Sequence, residues 1–180
     1  FVFFPHWSHI IPPEIHQRFE CVIFHMTDVP FGRGGSPLQN LIVRGVADTK
    51  ISALRCVAEL DAGPVYLKRP LSLQGTAQEI YGQASRVIED MIVEIVQRRP
   101  VPQPQEGTPV VFKRRKPLEG NLASLDSLQA VYDMIRMLDA DGYPPAFVEV
   151  GKLRIEFSRA ELRSTMLRAD VLIKVKPDGE

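Results

Sequence analysis

Thr76-Ala77-Gln78-Glu79 opens the longest patterned stretch of the chain. A threonine followed three residues later by a glutamate lets each side chain satisfy the other's backbone N–H, and so starts a helix. Ala77, Ile80, Tyr81, Ala84, Val87, Ile88, Met91, Ile92 and Ile95 then recur at helical spacing as far as Arg98-Arg99. One face is therefore apolar and the other polar. A helix of this kind draws most of its stability from whatever covers that apolar face. Strand-like runs upstream supply the cover, which constrains the chain to an α/β arrangement with this helix laid on a sheet.

The runs themselves alternate with helix signals. Phe1 to Phe4 is continuously apolar, as expected of a strand buried on both faces. Pro12-Pro13-Glu14-Ile15 begins a short helix, with proline in the tolerated first turn. Cys21-Val22-Ile23-Phe24 is the next strand, and Pro37 opens a helix that Gly45 closes after Arg44. Ile51 to Val57 and Val65 to Lys68 read as strands with Asp61 in the turn between them. Pro100 to Gly107 is proline-rich and marks a boundary. The expected organisation is an α/β core over 1–99, a linker over 100–108 and a small mixed α/β section over 109–180. In that last section Pro109 to Phe112 reads as a strand. Asp126 is expected to cap a second helix bearing Leu128, Val131, Tyr132, Ile135 and Leu138, and Gly142-Tyr143-Pro144-Pro145 ends it. Alternating runs at Ala146 to Val150, Leu153 to Phe157 and Val171 to Val175 suggest short strands.

Charge narrows the function classes. The 22 basic residues balance 22 acidic ones, which argues against a dedicated nucleic-acid binder but leaves room for a local patch. Lys113-Arg114-Arg115-Lys116 is such a patch, readable as a solvated edge or as an attraction for a polyanionic substrate. Cys21 and Cys56 sit in apolar runs and read as reduced thiols. No apolar run reaches membrane-spanning length, and the opening residues lack the pattern of a signal peptide. The cytoplasm is the expected compartment. His6 and His9 are three apart, but Pro12-Pro13 argues against a helical His-x-x-His and no further ligands follow at zinc-like spacing. No metal is expected.

The chemistry concentrates in two segments. His25-Met26-Thr27-Asp28-Val29-Pro30-Phe31-Gly32-Arg33-Gly34-Gly35-Ser36-Pro37 carries a histidine out of a strand into a Pro/Gly-rich loop. Glu59-Leu60-Asp61-Ala62-Gly63-Pro64-Val65 sets a carboxylate in a turn. A ring base and an acid, each beside a flexible loop, suit proton movement during attack on a carbonyl. By itself the pattern also fits a structural histidine.

These segments resemble the formyltransferase family that uses 10-formyltetrahydrofolate, which includes methionyl-tRNA, glycinamide ribonucleotide and sugar N-formyltransferases. The family signature is a strand ending Asn-x-His, a loop of the type Ser-Leu-Leu-Pro, a Gly-rich turn with a following Pro, and later Leu-Asp-x-Gly-Pro. His25, Thr27-Asp28-Val29-Pro30, Arg33-Gly34-Gly35-Ser36-Pro37 and Asp61-Ala62-Gly63-Pro64 match in that order. The resemblance implies a partial Rossmann-like sheet with flanking helices. It also implies His25 and Asp61 as the catalytic pair, and 10-formyltetrahydrofolate as formyl donor with no metal. Trp7, Ala62, Gly63 and Pro64 are expected at the donor site, with Gly63 permitting close approach of the pterin. Thr27, Gly32, Arg33, Gly34 and Gly35 are expected to form a mobile lid.

Two departures stand out. Ile23 occupies the place of the family asparagine, so one oxyanion-stabilising donor is absent or supplied from elsewhere. His6, just after the first strand, is the candidate replacement. Asn40, inside the Pro37 helix, is not. Phe1 to Phe4 resembles the family's fourth strand, so the chain is expected to lack the first β/α units. The acceptor expected first is an aminosugar, in nucleotide-linked form, because the loop and short tail resemble the sugar-modifying members. Transfer RNA is the alternative. A hydrolase passing the formyl group to water would use the same pair, and Ile23 would suit a folate-binding relative without catalysis. No membrane partner is expected, and a homodimer stays open.

Overall fold

A computed structural model describes residues 1–176. Its elements are β1 (Val2–Phe4), α1 (Pro13–His16), β2 (Cys21–His25), β3 (Phe31–Gly34), α2 (Pro37–Val43), β4 (Asp48–Arg55), β5 (Val65–Ser72), α3 (Ala77–Arg98), β6 (Val110–Phe112), α4 (Leu128–Leu138), β7 (Ala146–Val150), β8 (Leu153–Leu162) and β9 (Leu167–Val175). A 3-10 turn spans Pro117–Gly120.

The capped helix forms as its sequence dictates. Thr76 accepts from the Glu79 N–H, and the Glu79 carboxylate takes the Thr76 N–H at 2.8 Å. Ala77, Ile80, Ala84, Ile88, Met91 and Ile95 are buried where α3 packs on β4 and β5. Each large aliphatic side chain fully removed from water there contributes about 1.5–3 kcal/mol.

The main sheet is four-stranded in the order β1-β2-β4-β5. β1 runs parallel to β2, whereas β2–β4 and β4–β5 are antiparallel. β1 therefore ends the strand order, and its residues are half-buried rather than covered on both faces. β4 and β5 are longer than their apolar runs, because the hairpin ladder continues to Asp48 opposite Ser72. Pro70 is tolerated in β5, the other end strand, where a missing N–H costs no interior ladder bond.

Two features depart from local expectation. The Gly-rich segment forms β3, which pairs in parallel with β6 at Phe31, Arg33 and Gly34 with a bulge at Gly32, so a ladder stands where a lid was expected. That pairing also draws 110–112 back onto the first section. The proline-rich connector is strapped down as well: Val65 and Gln103 exchange backbone hydrogen bonds of 2.7 and 2.8 Å. The helix cap near 126 shifts by one residue. Ser127, with extended backbone, accepts from the Ala130 N–H at 3.2 Å, so Asp126 is not the cap.

β7, β8 and β9 form an antiparallel meander. α4 packs against α2 and β8. Met134, Ile135, Met137 and Ala146 share one apolar cluster with Val22, Leu41 and Ile80. Among the described residues no helix is long and apolar enough to cross a membrane.

Candidate active site

His25 ends β2, in register with Ser52 of β4. Ser52 Oγ donates to the Thr27 carbonyl at 2.7 Å, which fixes the exit of the strand. Thr27 is buried, and its hydroxyl lies 3.3 Å from the Gly32 carbonyl; it belongs to this support rather than to a lid. Asp61 comes from the connection between β4 and β5. Because β2 and β4 are antiparallel, their carboxyl ends lie at opposite edges of the sheet. The pair therefore does not sit at adjacent carboxyl ends of these two strands. Asp61 reaches the histidine because the 56–64 connection doubles back, with Asp61 itself in the left-handed region at φ 53°.

The two side chains meet. His25 Nδ1 lies 3.5 Å from Asp61 Oδ2, and the residues are 7% and 8% exposed. His25 Nε2 is 2.7 Å from the Gly32 carbonyl oxygen. A carbonyl only accepts, so that nitrogen carries the proton. The Gly34 N–H donates to Asp61 Oδ2 at 2.9 Å. β3 therefore touches both members of the pair through its backbone. Gly34 sits at φ +100°, and a Cβ there would fall 2.4 Å from the Phe112 carbonyl oxygen, so glycine is required.

His25 and Asp61 open into a cavity of about 770 Å³, within the range of small-molecule sites. Trp7 and His6 border it from the segment after β1, Tyr81 and Tyr143 from α3 and the turn before β7. The Tyr81 and Tyr143 rings stack at 5.7 Å with their hydroxyls 2.8 Å apart. Burial first, and then the neighbouring phenol, push the Tyr81 pKa upward, keeping it neutral. Arg114, Arg115 and Lys116 also line it, with Arg114 donating to the Ser8 carbonyl at 3.3 Å. Gln39, buried beneath, donates to Tyr81 and to the Met137 carbonyl.

Other expected site residues fall elsewhere. Ala62, Gly63 and Pro64 are not among the residues lining the cavity. Gly63 is pressed against β4 instead, where a Cβ would meet the Arg55 carbonyl oxygen at 1.8 Å. Its small size serves packing of the chain on itself. Arg33 points away from the cavity, to Gln105 and Glu59. Gly35 lies on the cavity wall, its N–H bonded to the Phe112 carbonyl. His6 Nε2 pairs with Ser85 Oγ at 3.2 Å, and its ring meets Tyr81 edge-on. Partial desolvation lowers its pKa, which favours a neutral ring on the cavity wall. Ile23 is half-buried two residues before His25. Asn40 clamps the carbonyls of Gly35, Ser36 and Lys113, a structural use that leaves it no role at the oxyanion.

Sequence reasoning did not find Gln39, Gln105 or the tyrosine pair. Only Tyr81 carried a signal, a polar-tipped residue within an otherwise aliphatic stripe. Among the described residues no cluster of three or more His, Cys, Asp or Glu could hold a metal ion.

The family described as methionyl-tRNA formyltransferase, C-terminal domain, matches residues 117–174. A methionyl-tRNA formyltransferase of Gluconobacter oxydans is 33% identical over 94 residues, covering 50% of this chain and 31% of that protein. The chain spans between 31% and 52% of the first curated relatives it matches. A solved methionyl-tRNA formyltransferase from Clostridium thermocellum is 54% identical with a TM-score of 0.94, over 97% of this chain and 77% of that one. A 4-N formyltransferase from Francisella tularensis shares the fold at 13% identity and a TM-score of 0.66, over 81% of this chain and 64% of its own. An α/β fold that holds a strand-end histidine against a loop aspartate, together with a solved relative at 54% identity over 97% of this chain, shows that the chain belongs to the formyltransferase family that includes the methionyl-tRNA formyltransferases.

Proposed function

We propose that the protein transfers a formyl group from 10-formyltetrahydrofolate to an amine, and that the amine is that of methionyl-tRNA. The observation that carries the reaction class is the buried His25–Asp61 contact of 3.5 Å at the cavity. The donor fits the site in kind. A flat bicyclic ring suits the aromatic walls, and an acidic tail suits Arg114, Arg115 and Lys116. Bound there, the donor would supply an activated formyl group on N10.

The residues of the chain do the rest. Asp61 is held by the Gly34 N–H and faces Nδ1, so a doubly protonated His25 ring has both N–H groups partnered, one by Asp61 and one by Gly32. The neutral ring has its proton-free Nδ1 turned to Asp61, and Asp61 lines the cavity, so the proton that an attacking amine must lose can pass to the carboxylate and on to Nδ1, where His25 holds it as a cation beside Asp61. As a cation it also opposes negative charge growing on the formyl oxygen. Such positioned acid–base work contributes about a hundred- to ten-thousandfold.

For the acceptor, the family match over 117–174 and the 54% identical relative favour methionyl-tRNA over the aminosugar expected from the loop and tail. The basic run beside the cavity suits a polyanion. A nucleotide-linked aminosugar is the second reading, favoured by the stacked tyrosines, whose faces suit a sugar ring. The test incubates the protein with 10-formyltetrahydrofolate and either methionyl-tRNA or nucleotide-linked aminosugars, following formamide product and tetrahydrofolate together. Formylmethionyl-tRNA is expected. Product from the sugar alone reassigns the acceptor. Tetrahydrofolate release without formamide makes the protein a hydrolase, and no release overturns the catalytic reading.

A further inference from the structure

We propose that Gln105 is a positioning residue whose side-chain amide holds the Asp61 segment at its working distance from His25. The inference deepens the formyl-transfer reading and rests on it.

Gln105 lies in the proline-rich connector, far from Asp61 in sequence. Its Nε2 donates to the Asp61 carbonyl and to the Gly63 carbonyl, each at 2.8 Å. Its Oε1 accepts from Arg33 Nε at 3.0 Å and Arg33 Nη2 at 2.9 Å. Both amide protons and the carbonyl oxygen are thus in use. The reverse orientation would set an oxygen against two carbonyls and an NH₂ against a guanidinium, so the partners permit only one. Arg33 also reaches Glu59 at 3.3 Å, gripping the same segment on the far side of Asp61.

The clamp is anchored at both ends. The Val65–Gln103 backbone pair fixes the connector two residues before the amide. Arg33 stands in β3 between Gly32, which accepts from His25, and Gly34, which donates to Asp61. Gln105 therefore ties the main chain of the acid to the strand that contacts both catalytic side chains. Asp61 needs such a tie, because its backbone sits at φ 53°, a conformation other residues must hold in place. Gln105 itself does not line the cavity.

The test compares wild type with Gln105→Leu, Gln105→Glu, Arg33→Met and Asp61→Asn. Gln105→Glu is the discriminating variant. It keeps an acceptor for Arg33 but turns a carboxylate oxygen toward two carbonyls. Readouts are kcat and KM for the formyl donor, the ring ¹⁵N shifts of His25 at fixed pH, and melting temperature. Displacement of a reacting group by about 1 Å can cost about a hundredfold. We expect kcat to fall by about ten- to a hundredfold in both Gln105 variants with donor KM little changed. The His25 ¹⁵N shifts should move toward those of Asp61→Asn. Arg33→Met should move the same signals less, and it serves as the reading if neither Gln105 variant folds. His25 shifts and kcat unchanged in folded variants overturn the proposal, as does a kcat loss that only tracks lost melting temperature. If wild type shows no formyl transfer, displaced His25 shifts still support the clamp, and it is the reaction that has been misassigned.

Discussion

His25 Nε2 donates to the Gly32 carbonyl at 2.7 Å, so the ring nitrogen left for Asp61 is Nδ1, at 3.5 Å. The strand that follows the histidine thus selects its tautomer, and the acid fixed by the same strand gains most when the ring is fully protonated. His25→Ala and Asp61→Asn should each lower kcat by about a hundred- to ten-thousandfold, with circular dichroism unchanged. Steady-state formylation is the measurement. Full turnover by folded His25→Ala would remove the acid–base role.

His6 and Ile23 separate two accounts of the oxyanion. With Nε2 on Ser85 and its ring against Tyr81, His6 serves the cavity wall. His6→Ala should raise KM for the donor and leave kcat near wild type. Ile23→Asn restores a donor on the His25 face of β2 and should raise kcat, by up to about a hundredfold. A collapse of kcat in His6→Ala would instead make His6 the missing donor.

Gly63→Ala should damage both stability and turnover. The added Cβ would fall 1.8 Å from the Arg55 carbonyl oxygen, so the backbone must move. Overpacking of this kind costs about 1–3 kcal/mol, readable by urea unfolding. Because Asp61 lies two residues away, kcat should fall even where the protein remains folded.

Thr76→Ala removes the hydroxyl that caps α3 and should cost about 1 kcal/mol of stability. Thr76→Ser should restore most of it. Turnover per folded molecule should not change, since Thr76 is not among the residues lining the cavity.

Asp28 supplies a pH dependence. Burial acts to raise its pKa, but hydrogen bonds and charge from Lys50 and Lys68 outweigh this and hold it below the usual 3.8. A depressed folded-state value gives stability that is present above 3.8 and fades as pH falls through the lower, folded value. Asp28→Asn should lower the melting temperature at neutral pH and flatten its decline below about pH 4. An acid limb equally steep in both proteins would assign that limb to other carboxylates.

What this sequence determined alone was local. Thr76 with Glu79, and the apolar spacing from Ala77 to Ile95, contain the whole of α3, because capping and amphipathicity act within one or two turns. The exit of β2 into a Pro/Gly segment placed His25 at a strand end, and the family resemblance named Asp61 as its partner. Tertiary structure decided the rest. The Gly32–Gly34 segment carries no strand pattern of its own; it becomes β3 because Val110–Phe112 returns to pair with it. Ser127 rather than Asp126 caps α4, since backbone conformation at the helix entry chooses between adjacent capable residues. The meeting of Asp61 with His25 depends on a connection that doubles back against the antiparallel β4. The hold of Gln105 on that connection joins residues 44 apart in sequence. An amide that satisfies two distant carbonyls and a guanidinium leaves no periodicity, charge run or turn signal behind, so only the folded chain reveals it.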